Sequence, residues 1–399
     1  MKESRGNRLH ITFLGKMNTG KSSIINNLFN REISIVSDFA GTTTDINQKA
    51  MELLPLGPVS ILDTAGIDDI GELGQKRVNK TLEALDRTDV AIVVFDNTGV
   101  KDCDIKLFND LKTKKIPIIS IINKTDISLP SEDDIKIIEN NSNHIIYASA
   151  KSDEDITSKI KLGLISALDS EYIDTPTLLG DIISKNDTII LVIPIDKEAP
   201  KGRIILPQVQ TIRDILDNSA ISVICNVQNL KHAIENLKNP PRLIVTDSQA
   251  FREVSEIAPV DIELTSFSII FAKLKGDLKT FVLGANAIDK LENNDKVLIC
   301  ESCSHHPNED DIGRVKIPNL IKKYTGKNII FEHTSGHIFP DNIEKYKLII
   351  HCGACMTNRR EVLSRIEKAT SKHVAITNYG IAIAKCLNIL ERALEPFKN

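Results

Sequence analysis

Leu9-His10-Ile11-Thr12-Phe13-Leu14-Gly15-Lys16-Met17-Asn18-Thr19-Gly20-Lys21-Ser22-Ser23 decides the fold of the first part of this chain. A β-prone run leads straight into a glycine-bounded turn, and the turn opens into helical text. Gly15 to Ser22 has the spacing of a phosphate loop. Gly15 and Gly20 let the backbone curl so that its N–H groups and the helix N-terminus face an anion. In that reading Lys21 reaches the β- and γ-phosphates and the Ser22 hydroxyl takes Mg²⁺, with Ser23 beside it at the nucleotide.

Three further segments follow in order. Asp63-Thr64-Ala65-Gly66 comes after the run Ser60–Leu62, where Asp63 suits the Mg²⁺ shell and Gly66 suits a γ-phosphate sensor. Asn123-Lys124-Thr125-Asp126 comes after Ile116–Ile122; the Asp126 carboxylate can accept two hydrogen bonds from a guanine edge, which adenine cannot offer. Ser149-Ala150-Lys151 comes after His144–Ala148 and can meet the guanine carbonyl. Each segment alone is ordinary turn chemistry. Together they stand in the order of the small GTPases, at the C-terminal ends of strands alternating with helices, where open α/β sheets bind ligands. The expectation is an α/β chain whose first domain, residues 1–168, is a Ras-like P-loop GTPase that binds GTP or GDP with Mg²⁺.

Ser37-Asp38-Phe39-Ala40-Gly41-Thr42-Thr43-Thr44-Asp45 resembles the first switch of the TrmE–Era group of bacterial GTPases. That resemblance implies that Asn18 helps to hold a K⁺ ion, supplying the charge that an arginine finger supplies elsewhere. Thr43, with Thr42 next to it, is the candidate for the second Mg²⁺ hydroxyl. Position 67, where Ras-like enzymes carry a water-orienting Gln, is Ile67. Glu72 is therefore the candidate water-activating group and Asp69 its runner-up, and intrinsic hydrolysis is expected to be slow.

The rest of the chain repeats the α/β alternation in two smaller parallel-sheet units. A linker is expected over 169–185, a second domain over 186–265 and a third over 266–399. Net charge is −4 with a pI near 6.2, aromatics are 4% and Trp is absent. Neither a nucleic-acid footprint nor a stacking platform is present, and no apolar run approaches the ~20 residues that cross a bilayer. Seven cysteines without a secretory leader point to a reduced, cytoplasmic setting.

Near the C-terminus Cys303-Ser304-His305 is answered by His351-Cys352-Gly353-Ala354-Cys355. Each group follows a predicted strand, so two strands of one parallel sheet would bring Cys303, Cys352 and Cys355 together. Three thiolates can hold three irons of a [4Fe–4S] cube, leaving His305, His351, a carboxylate or water for the fourth. Cys300 makes a second CxxC and keeps structural zinc equally open on spacing, although it ends an apolar strand where a buried, inert Cys is common.

The whole pattern resembles the HydF family, GTPases that help mature [FeFe]-hydrogenase. It is carried by the GTPase segments, by the CxH…HCxxC residues, by Asn358-Arg359-Arg360-Glu361 after them, and by Asp196-Lys197-Glu198-Ala199-Pro200-Lys201-Gly202-Arg203 with Leu206-Pro207-Gln208 in the middle unit. The resemblance implies a homodimer through the middle domain, a [4Fe–4S] cluster in the third, and a scaffold or carrier for the diiron precursor. The implied partners are two radical-SAM maturases and the apo-hydrogenase, with no nucleic acid and no membrane. Two rivals stand beside it: a TrmE/Era-type GTPase with a structural zinc domain acting on RNA or ribosome, and a thiol or iron–sulfur oxidoreductase with a regulatory GTPase.

Overall fold

The structure, a computed structural model, describes residue 6 and residues 8–31, 47–69, 71–151, 155–168, 177–195, 202, 204–302, 311–355 and 357–398. It divides into two compact units, Met1–Thr175 and Pro176–Asn399. Among the described residues no helix is long and apolar enough to cross a membrane.

The first unit runs β1 (Leu9–Leu14), α1 (Lys21–Arg31), β2 (Asn47–Leu53), β3 (Gly57–Asp63), α2 (Glu72–Leu85), β4 (Val90–Phe95), α3 (Asp102–Thr113), β5 (Ile118–Ile122), α4 (Glu132–Asn141), β6 (His144–Tyr147) and α5 (Ile156–Ala167). The sheet order is β2-β3-β1-β4-β5-β6, parallel except for β2, which pairs antiparallel with β3. All six residues of β4 and all five of β5 are buried, as near-continuous apolar runs at the centre of a doubly wound sheet must be. The sequence reading has no β2. Asn47, Gln48, Lys49 and Glu52 make a partly exposed edge strand whose polar residues hide its β character.

The second unit holds two four-stranded parallel sheets. β7 (Thr188–Val192), α6 (Leu206–Asp217), β8 (Ile221–Cys225), α7 (Leu230–Glu235), β9 (Leu243–Thr246), α8 (Phe251–Ile257) and β10 (Glu263–Ser266) build the first, in the order β10-β9-β7-β8. α9 (Phe267–Lys275) and α10 (Leu278–Ala285) then lead to β11 (Lys296–Glu301), α11 (Ile317–Thr325), β12 (Ile330–Ser335), β13 (Leu348–His351), α12 (Arg359–Ser371), β14 (Ala375–Asn378), α13 (Tyr379–Cys386) and α14 (Leu390–Leu394). The second sheet has the order β12-β11-β13-β14. One apolar core takes Ile190, Val192 and Ile244 from the first sheet and Leu298, Ile349 and Ile376 from the other. α9 packs against α6 of the first sheet and against α12 and α13 of the second. The expected α/β class, with a Ras-like unit followed by two smaller parallel sheets, is the class found.

His333 lies within β12. The C-terminal helical stretch breaks into α13, α14 and a final 3₁₀ turn, because Asn388 adopts a left-handed φ of 58° that ends α13.

Candidate functional site

The phosphate loop leaves the buried end of β1. Gly15 has φ 134°, and a Cβ there would lie 2.4 Å from the Val94 carbonyl oxygen, so only glycine fits between β1 and β4. Asn18 and Gly20 are also left-handed, at φ 61° and 95°. Lys21 is buried, and its ammonium donates to the carbonyl oxygens of Gly15 at 2.9 Å and Lys16 at 2.7 Å. Burial lowers its pKa, opposed by Asp63 and Asp68. Ser22 Oγ lies 3.4 Å from Asp63 Oδ2, so the two residues expected at Mg²⁺ face each other. Burial pushes the Asp63 carboxyl up, with Lys21 and Ser22 acting against it. A half-buried carboxylate beside a hydroxyl is a donor set that fits a hard divalent cation.

Gly66 also abuts the loop: a Cβ on it would fall 2.4 Å from Met17 Cγ and 2.8 Å from Met17 N. The Met17 N–H donates to Asp68 Oδ1 at 2.7 Å. Asp69 pairs with Arg77 at 3.2 Å. Glu72 opens α2 with its carboxylate almost fully exposed, 3.9 Å from Lys76. Thr42 and Thr43 lie outside the described residues.

The base-binding segments close the site. Asn123 is buried; its Nδ2 donates to the Thr19 carbonyl at 2.8 Å and its Oδ1 accepts the Ala150 N–H at 3.1 Å. One side chain thus ties the phosphate loop to Ser149-Ala150-Lys151. Lys124, at φ 61°, donates to Asp96 Oδ2 at 2.7 Å. A hydrogen bond from Ser149 holds the exposed Asp126 carboxyl below its ordinary range, keeping it an acceptor. Lys16, missed in the sequence reading, is buried and donates to Thr98 Oγ1 at 3.0 Å and the Gly99 carbonyl at 2.5 Å, joining the phosphate loop to the loop after β4.

In the second unit β11 and β13 are adjacent and parallel, with Cys300 opposite His351. The Cys352 N–H donates to the Cys300 carbonyl at 2.9 Å. The Ser302 N–H donates to Cys352 Sγ at 3.1 Å, and Ser302 Oγ is 3.2 Å from the same sulfur. Cys303 and His305 lie outside the described residues, but Ser302, the neighbour of Cys303, is held against Cys352. Burial pushes the Cys352 thiol up, yet the neighbouring His351, with hydrogen bonds from Ser302 and the Ala354 N–H, brings it down to about 6. A thiol so favoured as thiolate fits a soft metal. Cys300 does not fit: it is fully buried, and burial pushes its thiol up to about 11. Among the described residues no group of three metal-ligating side chains is assembled.

His351 is held away from a ligand role in this structure. Arg365 Nη1 is 2.9 Å from its Nε2, and a guanidinium can only donate, so Nε2 accepts. Nδ1 then carries the proton and donates to the Cys352 carbonyl at 2.8 Å. Arg365 in turn pairs with Glu361 Oε1 at 2.6 Å, and Glu361 with His337 Nδ1 at 2.9 Å. The Glu361–Arg365 pair stands at i, i+4 on α12 and reaches back to His351. Arg359, by contrast, is exposed.

Comparison with known proteins covers both units. The chain matches the hydrogen maturase F tetramerization domain over residues 279–396, the hydrogen maturase F dimerization domain over 178–276, and a 50S ribosome-binding GTPase model over 10–124. It is 32% identical over 150 residues to the tRNA modification GTPase MnmE of Caldicellulosiruptor saccharolyticus, covering 37% of this chain and 32% of that protein. It is likewise 32% identical over 152 residues to GTPase Der of Nitratiruptor sp., covering 37% of this chain and 33% of that protein. The chain thus spans about a third of the length of these curated relatives. A crystal structure of Aquifex aeolicus Era bound to GDP and AlF4⁻ superposes with a TM-score of 0.33 at 21% identity, covering 54% of this chain and 91% of that one. The two maturase matches follow one another from residue 178 to 396, more than half of the sequence. With a GTPase match ahead of them, they show that this chain belongs to the hydrogen maturase F family.

Proposed function

We propose that the chain is a GTP-hydrolysing scaffold that carries a [4Fe–4S] cluster and delivers a diiron precursor in [FeFe]-hydrogenase maturation. The observation that supports the second half is the β11–β13 pairing, which sets Ser302 against the Cys352 sulfur. Family membership and the geometry of the four nucleotide segments support the first half.

In hydrolysis, water attacks the γ-phosphorus in line as the bond to the β–γ bridging oxygen breaks. Lys21 and the N–H groups of the phosphate loop bear the charge that builds on the leaving oxygen. Ser22, Asp63 and Thr43 would hold Mg²⁺, and Asn18 would hold K⁺; both ions supply positive charge to the phosphates. Asp126 and Ser149 select guanine. Glu72 is the candidate to orient the water, and its exposed carboxylate must turn toward Gly66 to do so.

Cys303, Cys352 and Cys355 would hold the cluster, which supplies an iron position open to exchange. His305 is the remaining histidine candidate for that position, since His351 spends both ring nitrogens on Arg365 and the Cys352 carbonyl. The working form is a cytoplasmic homodimer through the sheet of β7–β10. Its partners are the radical-SAM maturases and the immature hydrogenase. The zinc-bearing RNA-directed alternative is disfavoured by the mild net acidity and by Cys300, whose buried thiol leaves the second CxxC incomplete.

Anaerobic reconstitution of the native chain and of Cys303→Ala, read by iron, sulfide and zinc analysis with EPR, tests the scaffold. A reducible cubane signal in the native chain that is lost in the variant is expected; stoichiometric zinc with no such signal overturns it. GTP turnover is expected to fall when K⁺ is replaced by Na⁺, and equal rates remove the role given to Asn18.

A further inference from the structure

Lys275 ends α9, far in sequence from the cysteine motif, and is only 3% exposed. Its ammonium donates to the carbonyl oxygen of Ala354 at 2.8 Å and to that of Thr357 at 2.9 Å. Those two carbonyls bracket Cys355. Ala354 is itself buried and left-handed at φ 54°, a conformation that costs an alanine about 1 kcal/mol and needs support from outside the turn. The turn is anchored at its start by the Cys352 N–H on Cys300 and at its end by Asn358, which caps α12. Lys275 fills the stretch between these anchors.

Position also decides what the residue does electrically. Burial pulls the pKa of the Lys275 ammonium down to about 8, and the charges of Cys355 and Cys352 act against that, so it stands within electrostatic reach of both sulfurs. A cube held by thiolates is anionic and gains another negative charge on reduction. A fixed positive charge behind the thiolates, in a buried setting of low dielectric, favours the reduced form.

We infer that Lys275 is a positioning residue for the iron–sulfur site, an ammonium delivered by α9 that fixes the Cys355 turn and offsets the charge of the bound cluster. This rests on the iron–sulfur reading above. It also assigns a connection: α9 packs on α6 of the preceding sheet, so the segment that supplies the charge belongs to the dimerization match and the turn it holds belongs to the tetramerization match.

The test compares full-length native protein with Lys275→Met and Lys275→Gln after anaerobic reconstitution. Melting and sedimentation of the apo-proteins establish that each variant folds. Both folded variants are expected to lose iron to a chelator about 10- to 100-fold faster than native protein. In both, the midpoint potential, read by EPR-monitored titration, is expected to shift to more negative values. The potential separates an electrostatic role from simple support of the turn. Lys275→Gln retains amide donors for the two carbonyls and removes only the charge, so it carries the reading if Lys275→Met does not fold. A native chain that loads no cluster overturns the site itself. A native chain that loads one, with variants matching it in potential and in iron loss, overturns the role of Lys275 alone.

Discussion

Cys352 and Cys300 sit across one strand pair and are pushed in opposite directions, to about 6 and about 11. The folded pKa of Cys352 lies below its ordinary value near 9, so the thiolate is favoured by the fold above pH 6. That contribution to stability is complete above pH 9 and lost as pH falls toward 6. Alkylation of the apo-protein with iodoacetamide, resolved by mass spectrometry, should label Cys352 with a half-maximum near pH 6 and leave Cys300 unlabelled across pH 5–8. Equal labelling of the two would refute the electrostatic contrast. At the nucleotide, Asp68 accepts the Met17 N–H, a donor of the phosphate loop. A bound γ-phosphate and this carboxylate draw on the same donor and repel each other. Asp68→Asn should therefore strengthen GTP binding over GDP by roughly 1 kcal/mol, about fivefold, measured by calorimetry with a non-hydrolysable analogue. The motif residues were legible because their chemistry is written in short spacings. Lys275 and the Arg365–His351 contact were not, since each forms only when distant segments fold onto the cysteine loop.

Elements were legible where burial is uniform. β4 is apolar throughout and β5 is apolar but for Ser120, whereas β2 is a polar edge strand without a clear apolar alternation. β8 is an edge of the opposite kind: Ile221-Ser222-Val223-Ile224-Cys225 carries no charge and no proline, and Ile221 and Ile224 are 51% and 47% exposed. An unguarded apolar edge in the unit matched as a dimerization domain is suited to pair with a second copy. Ile224→Lys should convert the protein to monomer in sedimentation experiments while leaving GTP turnover and melting nearly unchanged. Persistence of the native assembly would move the interface elsewhere. α10 offers a separate check on packing. A Cβ at Gly284 would lie 1.9 Å from the Ile376 carbonyl oxygen, so this helix rests directly on the backbone of β14. Gly284→Ala must separate them and should destabilise the second unit by about 3 kcal/mol or more, read as a lowered urea midpoint.

On the scale of the chain, the order of the three α/β blocks was legible, but the way their cores join was not. Periodicity marks each strand's buried faces without saying which neighbour covers them, so the two small sheets read as separate domains. In the structure they share one core through α9, and Leu298 and Ile244 belong to the same apolar cluster. The GTPase unit has apolar clusters of its own, built from residues such as Ile11, Val94 and Ile121 on one face of the sheet and Leu14, Val93 and Phe108 on the other. Cooperativity follows shared cores. The apo-chain should therefore unfold in two calorimetric transitions, one for the first unit and one for both small sheets together. GDP at a hundred times its dissociation constant should stabilise the first by about 2.7 kcal/mol and leave the second in place. Cys303→Ala, by the same logic, should leave the first transition untouched in reconstituted protein and remove any gain that cluster loading gives the second. Three separable transitions would mean that α9 does not couple the two sheets, and would also weaken the inference drawn for Lys275 at its end.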